Sequence, residues 1–376
     1  MDAVASLQSF ADITRRLASA QPERIALSFE GRETTYGEFD KHTNQVANAL
    51  LAGGVKTRDR VAFFGKNSDA YFEIFFGASK MGGATTPINW RLAGPEVAYI
   101  LQDSRASILF VGPEFVDMVR KIAGECPDLK AIIAVEEGAQ DWPSFTQWRD
   151  AQPATPPQIA LGPEDDVLQL YTSGTTGRPK GVMLTARNLL SLQDVIDRTG
   201  AEWAQWSPDD VSLIAMPIGH IGGTGWGFWS LFRGAKGIVL RDFDPGRILD
   251  LIERENISKL FLVPSALQAI VTHPRAREID YKRLKYIAYG ASPIPLALLR
   301  ECVEVFGCGF VQMYGMTETT GTIVALPPKI TRPTVVRRCA RPAKPCRASS
   351  WQSSIPQANA STPMKSARSP SARPRT

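Results

Sequence analysis

Apolar strand-like runs and helix-like runs alternate along nearly the whole chain, and this alternation restricts the fold to layered α/β sheets. Short β-type runs read at Arg60 to Phe64, Ala84 to Asn89, Ile108 to Val111, Leu129 to Val135, Val211 to Met216, Gly237 to Leu240, Lys259 to Val263, Leu284 to Tyr289 and Phe310 to Met313. Between them lie helical patterns. One begins at Thr34-Thr35-Tyr36-Gly37-Glu38 and repeats through Phe39, Thr43, Val46, Ala47 and Leu50 until Gly53-Gly54. Another, with Tyr71, Phe72, Ile74, Phe75, Phe76 and Met81, is apolar enough to read as core. Further helices are expected at Pro95 to Gln102, Asn188 to Ile196, Pro245 to Glu255 and Ile294 to Phe306, with loop over 138–163.

The most informative single stretch is Tyr171-Thr172-Ser173-Gly174-Thr175-Thr176-Gly177-Arg178-Pro179-Lys180-Gly181, flanked by Val167, Leu168 and Leu170 before it and Val182, Met183 and Leu184 after. It reads as strand, loop, strand. Glycines let backbone N–H groups approach an anion, the Ser/Thr hydroxyls add donors, and Lys180 adds charge. A polyphosphate is the natural guest. The common phosphate loop is excluded by spacing: Gly174 and Gly177 are three apart, and Lys180 is followed by Gly181 and an apolar run rather than by Ser/Thr opening a helix. Composition alone also allows a Ser/Thr/Gly surface linker.

The residue order resembles the AMP-binding signature of the adenylate-forming superfamily, which includes acyl-CoA synthetases, aryl-CoA ligases, luciferases and peptide-synthetase adenylation domains. Tyr314-Gly315-Met316-Thr317-Glu318 resembles that superfamily's second strong motif. Gly290-Ala291-Ser292-Pro293 resembles a third, and His220, after Met216-Pro217 and before Ile221-Gly222-Gly223, stands where relatives place a histidine between acyl pocket and nucleotide. The resemblance implies that Thr172, Ser173, Gly174, Thr175, Thr176, Gly177 and Lys180 hold the phosphates of ATP. Tyr314, Gly315, Thr317, Gly290, Ala291 and Ser292 then surround the nucleotide. Thr172, Lys180, His220 and Glu318 are the implied catalytic residues.

A carboxylate beside a phosphate is repelled unless a cation bridges them, and Mg²⁺ prefers one or two carboxylates plus phosphate oxygens. Glu318 fits that role. Ile221, Gly223, Trp226, Gly290 and His220 are the candidate acid-binding residues. Glycines with one tryptophan suit an apolar acid, and no carboxylate is evidently placed for a substrate amine. Gly219 departs from the bulky residue common in relatives, which predicts a wider or looser pocket. The implied reaction joins a carboxylic acid, of fatty-acid type or alternatively an aryl acid, to AMP and then to the thiol of coenzyme A. A nucleotide- or acyl-binding protein without turnover is the reading from another class.

The likeness to the family covers about residues 5–328, the large N-terminal domain with an incomplete β-rich subdomain. The acidic ribose motif, the hinge and the small C-terminal α+β domain of relatives, with its adenylation lysine, find no match after it. Residues 329–376 hold eleven Lys/Arg, no Asp/Glu, seven prolines and eight serines. They read as a basic disordered tail or as a frameshift. Read two bases later, GC-rich codons for residues 345–355 permit Leu-Pro-Gly-Val-Glu-Leu-Ala-Ile-Ile-Asp, and continuation permits a Val-Gly-Glu-Ile motif like that of relatives. A chain lacking the completing strands is expected to expose apolar surface and aggregate.

The net charge of +5 belongs to that tail, since residues 1–328 carry −6. The basic balance is therefore no sign of specific nucleic-acid binding. No secretory signal reads at the N-terminus. Cys126, Cys302, Cys308, Cys339 and Cys346 show no Cys-x-x-Cys spacing, which suits free thiols in a reducing, cytoplasmic setting. Val211 to Phe232 holds no Asp, Glu, Lys or Arg over 22 residues. Its proline and five glycines predict a strand, a turn and a buried helix rather than a membrane span, leaving only peripheral membrane contact open.

Overall fold

The computed structural model describes residues 7–136, 141–173 and 177–328. Helix α1 (Phe10–Ala20) precedes a hairpin of β1 (Ile25–Phe29) and β2 (Arg32–Thr35). Next come α2 (Tyr36–Ala52), β3 (Arg60–Phe64), α3 (Asp69–Lys80), β4 (Ala84–Ile88), α4 (Gly94–Ser104), β5 (Ala106–Val111) and α5 (Val116–Ile122). Strand β6 (Ala131–Ala134), α6 (Phe145–Asp150), β7 (Asp166–Thr172), β8 (Lys180–Thr185) and α7 (Ala186–Thr199) follow. The remainder is β9 (Val211–Ile214), α8 (Ile221–Phe232), β10 (Lys236–Val239), α9 (Pro245–Arg254), β11 (Lys259–Leu262), α10 (Pro264–Val271), β12 (Tyr286–Gly290), α11 (Leu296–Phe306), β13 (Gly309–Met316) and β14 (Gly321–Leu326).

The local signals act as expected at α2. The Thr35 hydroxyl accepts from the Glu38 N–H, and the Glu38 carboxylate accepts from the Thr35 N–H, a reciprocal cap at the helix start. One correction concerns the first half, and one expectation about the apolar stretch holds. The loop expected over 138–163 contains α6, because Phe145 and Trp148 pack edge-on against Phe110 of β5. The apolar stretch of 22 residues divides into β9, a turn and the 12-residue α8. No helix among the described residues is long and apolar enough to cross a membrane.

The strands form two sheets, ordered β6-β5-β3-β4-β7-β8 and β14-β13-β12-β11-β9-β10-β1-β2. Only β7/β8, β1/β2 and β13/β14 pair antiparallel; all other neighbours are parallel. Parallel strands require coverage on both faces, and α3 supplies it for both sheets. Every residue of α3 is buried. Its Phe75 and Phe76 meet Phe10 of α1, which stacks on Phe228 of α8 at 5.0 Å. This shared aromatic layer ties the two sheets together, so residues leaving their carboxyl ends approach one another.

Strand order reverses at β9: β10 lies on one side of it and β11 on the other. In an open α/β sheet such a reversal opens a crevice at the carboxyl ends of the strands, where ligands bind. The segment leaving β9 leads to His220 and the start of α8.

Candidate active site

The Tyr171–Gly181 stretch is a hairpin connection, with Thr172 of β7 paired to Lys180 of β8 and Tyr171 paired to Gly181. The strand, loop, strand expectation holds for the described residues. Gly174, Thr175 and Thr176 lie outside them. Gly177 takes φ +87°, a conformation that favours glycine. Gly181 is needed for another reason: a Cβ there would stand 2.4 Å from Gln169 Nε2 and 3.1 Å from Tyr171 Cζ. Its bare backbone lets the Tyr171 ring cross β8, and the phenol donates to Asp103 Oδ2 on α4 at 2.6 Å. Burial and then this hydrogen bond raise the Tyr171 pKa, so the phenol stays protonated. Ser173 and Lys180 are exposed, and Thr172 is half-buried.

The segment from Met216 to His220 is held by two asparagines from the other sheet. Asn67, just past β3, donates to the Met216 and Leu240 carbonyls at 3.1 and 3.0 Å and accepts from the Ile218 N–H at 3.0 Å. Asn89, just past β4, accepts from the Arg91 N–H at 3.0 Å. That contact fixes its amide, whose nitrogen then donates to His220 Nε2 at 3.3 Å. His220 therefore carries its proton on Nδ1. Burial first, and the Arg91 charge second, lower its pKa. As the residue preceding α8, it also sits at a positive helix end, which favours the neutral ring.

The start of α8 is anchored beneath. Thr224 donates to the Ile218 carbonyl at 2.6 Å, so its oxygen accepts from the Tyr71 phenol at 2.7 Å. Here the structure revises one expectation and shows close packing at two further glycines. Gly219 opens no space, because a Cβ there would lie 2.9 Å from Asn89 Cα. Gly223 is small for packing, since its Cβ would fall 2.3 Å from the Pro217 carbonyl oxygen. Gly290 is crowded by the Met313 carbonyl oxygen, again at 2.3 Å. Small residues suit a pocket and a close backbone approach equally, and at all three positions the Cβ direction is filled by backbone. Trp226 is buried among Trp206, Trp229 and Phe261. The Phe261 ring, at the end of β11, lies against Gly222, two residues from His220. Ile221 packs over Gly321.

The remaining motif residues leave β12 and β13 at the same edge, where Gly290 pairs with Met313. Ala291 adopts φ +66°, a left-handed conformation costly for a residue with a Cβ. Such strain is typical of functional turns. Ala291 and Ser292 are exposed, as are Gly315 and Glu318. Tyr314 is 60% exposed, unusual for an aromatic ring and consistent with a flat ligand surface. A Cβ on Gly315 would overlap the Gly321 carbonyl oxygen, so the β13/β14 pairing requires glycine there. The turn Thr317–Thr319 is held by Thr319 Oγ1, which accepts from the Met316 N–H at 3.0 Å. This turn lies against β8, bringing the second motif to the stem that carries Lys180.

Glu318 forms no salt bridge or hydrogen bond among the described residues. The same residues hold no cluster of three or more metal-ligating side chains. A single free carboxylate beside a phosphate loop fits Mg²⁺, which takes most of its ligands from water and phosphate, and does not fit a metal caged by protein alone. Asn67, Asn89, Asp103 and Phe261 are site residues the sequence did not mark. Each reaches the site from an element distant in the chain, so no local spacing signals it.

Comparison with known proteins decides the family. Residues 14–349 match the family of AMP-binding enzymes. The chain belongs to the AMP-binding enzyme family. The matched span passes residue 328. The fatty acid–acyl-carrier-protein ligase ScoC of Streptomyces coeruleorubidus is 39% identical over 86% of this AMP-binding chain and 61% of its own length. A feruloyl-CoA synthase of an Amycolatopsis species is 35% identical, covering 83% of the chain and 60% of that protein. The chain thus spans about three fifths of the length of these relatives. The inhibitor-bound N-terminal domain of FACL13 from Mycobacterium tuberculosis superposes with a TM-score of 0.79 at 27% identity, over 86% of this chain and 80% of that one. The layered α/β fold is that of the N-terminal domain of acyl-CoA ligases.

Proposed function

We propose that this site binds ATP and a carboxylic acid and joins them as an acyl-adenylate, which a thiol then consumes. The observation that carries the reading is the seating of the Thr317–Thr319 turn, which holds Glu318, against β8, the strand that begins at Lys180. In the first half-reaction a carboxylate oxygen attacks the α-phosphorus and pyrophosphate leaves. In the second, a thiolate sulfur attacks the acyl carbon and AMP leaves.

Lys180 and Thr172 neutralise and orient the phosphates from the hairpin stems, with Ser173, Gly174, Thr175, Thr176 and Gly177 completing the cradle. Thr317 adds a hydroxyl. Glu318 would hold Mg²⁺, which supplies charge neutralisation across the phosphates. Tyr314, Gly290, Ala291 and Ser292 flank the adenine. His220 donates its Nδ1 proton to the acid's carboxylate. Its neutral ring leaves that carboxylate unpaired with a full charge and hence nucleophilic. Positioning and electrostatics are then the protein's main contributions.

The acid in this proposal is a fatty acid, as in the first of the relatives above. A second reading, an aryl acid, is favoured by the aromatic wall of Phe261, Trp226 and Trp206. The thiol is that of coenzyme A, or the equivalent thiol of a carrier protein. Titration with sulfamoyl-adenosine analogues bearing decanoyl or feruloyl groups tests the site without requiring turnover. Binding of the decanoyl analogue supports the first reading, and preference for the feruloyl analogue supports the second. Failure of both analogues and of ATP to bind would overturn the proposal. ATP–pyrophosphate exchange with the same acids then separates an active ligase from a binding protein.

A further inference from the structure

Helix α4 turns two side chains toward the hairpin, and each meets a different stem. Asp103 accepts from the Tyr171 phenol at 2.6 Å, and the Tyr99 phenol donates to the Pro179 carbonyl at 3.2 Å. Arg178 also lies over the Tyr99 ring, 5.7 Å from its centre. The two residues are four apart on α4, so they project from one face, one turn from each other. The opposite face is firmly anchored: Val97, Ala98, Ile100 and Leu101 are buried in the core of the six-stranded sheet.

The contacts flank a single cross-strand pair. Tyr171 immediately precedes Thr172, Pro179 immediately precedes Lys180, and Thr172 and Lys180 are cross-strand partners. Helix α4 thus holds the hairpin on both sides of the Thr172/Lys180 pair: at Tyr171, one residue on the strand side, and at Pro179, one residue on the loop side. Backbone pairing alone does not explain a hydrogen bond on each side. The tilt of Tyr171 toward α4 also requires the bare backbone of Gly181.

We propose that Asp103 and Tyr99 are positioning residues, which hold the two stems of the hairpin in the arrangement that nucleotide phosphates require. The inference rests on the reading of the hairpin as an ATP site. It assigns α4 a part in nucleotide affinity although neither side chain touches the nucleotide. Preordering the stems removes an ordering cost from binding, and losing a stem contact restores it.

The test is titration of the full 376-residue chain with ATP in the presence of Mg²⁺, comparing Tyr171→Phe, Asp103→Leu, Asp103→Asn and Tyr99→Phe. Tyr171→Phe and Asp103→Leu are expected to weaken ATP about tenfold, the effect of ~1.4 kcal/mol. Asp103→Asn keeps an acceptor and should stay within about threefold of the parent, because a neutral hydrogen bond retains part of a charge-assisted one. Tyr99→Phe should show an intermediate loss. Melting temperatures should stay within ~2 °C, because each change removes a single side-chain hydrogen bond outside the core. Equal ATP affinity in parent, Tyr171→Phe and Asp103→Leu would overturn the inference while leaving the ATP site standing. An Asp103→Asn protein as weak as Asp103→Leu would also overturn it. A parent that does not bind ATP would remove both the site reading and the inference.

Discussion

Asn89 donates its side-chain amide to Nε2 of His220 while its oxygen accepts from the Arg91 N–H, so the histidine is held neutral with its proton on Nδ1. A neutral donor is what a nucleophilic carboxylate needs, since an imidazolium would hold the charge it must use.

This relationship predicts a pH response. Burial and Arg91 depress the His220 pKa below the ordinary 6.5. A depressed pKa adds stability that is present above 6.5 and lost as pH falls through the folded value. With only three histidines in the chain, His220 can be followed by its ring proton resonances in an NMR titration. It should titrate below 6.5. Arg91→Gln removes a repelling charge and should move the midpoint upward. Asn89→Leu removes a donor to the neutral ring and should act in the same direction. Unchanged midpoints in both variants would contradict the assigned tautomer.

Two glycines on α8 give opposite predictions. Gly223→Ala places a Cβ 2.3 Å from the Pro217 oxygen and 2.5 Å from the Met216 oxygen, and should cost about 3 kcal/mol as overpacking against rigid backbone. Gly225→Ala meets only Ile221 at 3.6 Å and should stabilise the helix by about 0.5–1 kcal/mol. Urea denaturation of both variants checks the difference. Equal stabilities would mean that the backbone around Gly223 yields to a methyl group.

Asp210 organises the far end of β9 and β11. It accepts from Lys285 at 2.6 Å and from the Ser258 hydroxyl at 2.8 Å, and it lies 3.4 Å from the buried Lys259 ammonium. Burial opposes its ionisation. The Lys285 hydrogen bond, the Ser207 N–H and the Lys259 charge outweigh that effect and lower its pKa. Asp210→Asn strands the Lys259 charge and should cost about 3 kcal/mol at neutral pH. The depressed pKa contributes stability above the unfolded carboxylate value of about 3.9, lost as pH falls through the folded one. The variant's deficit should therefore shrink in acid, as thermal melts between pH 3 and 7 would show.

The fold class was legible because strand and helix periods are local; Lys180, His220 and Glu318 stand in ordered strings at strand ends, which is what made them candidates. What escaped was set by contacts across the chain. Helix α6 was hidden in a proline-rich stretch, where the Ser144 cap is a weak signal beside its packing on Phe110. Asn89 and Asp103 carry no local signal, since their partners lie 131 and 68 residues away. Gly219 was expected to widen the pocket, because a sequence does not distinguish a slot from a close approach of backbones, but its Cβ direction is filled by Asn89.

The central claim is that the β7/β8 hairpin and the Thr317–Thr319 turn form one nucleotide site. Calorimetric titration of the 376-residue chain with ATP, with and without Mg²⁺, tests it most directly, using Lys180→Ala and Glu318→Gln. Binding should require the chain's own lysine, with Lys180→Ala weakening it about tenfold or more. Mg²⁺ should strengthen it in the parent and lose that effect in Glu318→Gln. ATP binding that ignores both substitutions, or no ATP binding at all, would contradict the account.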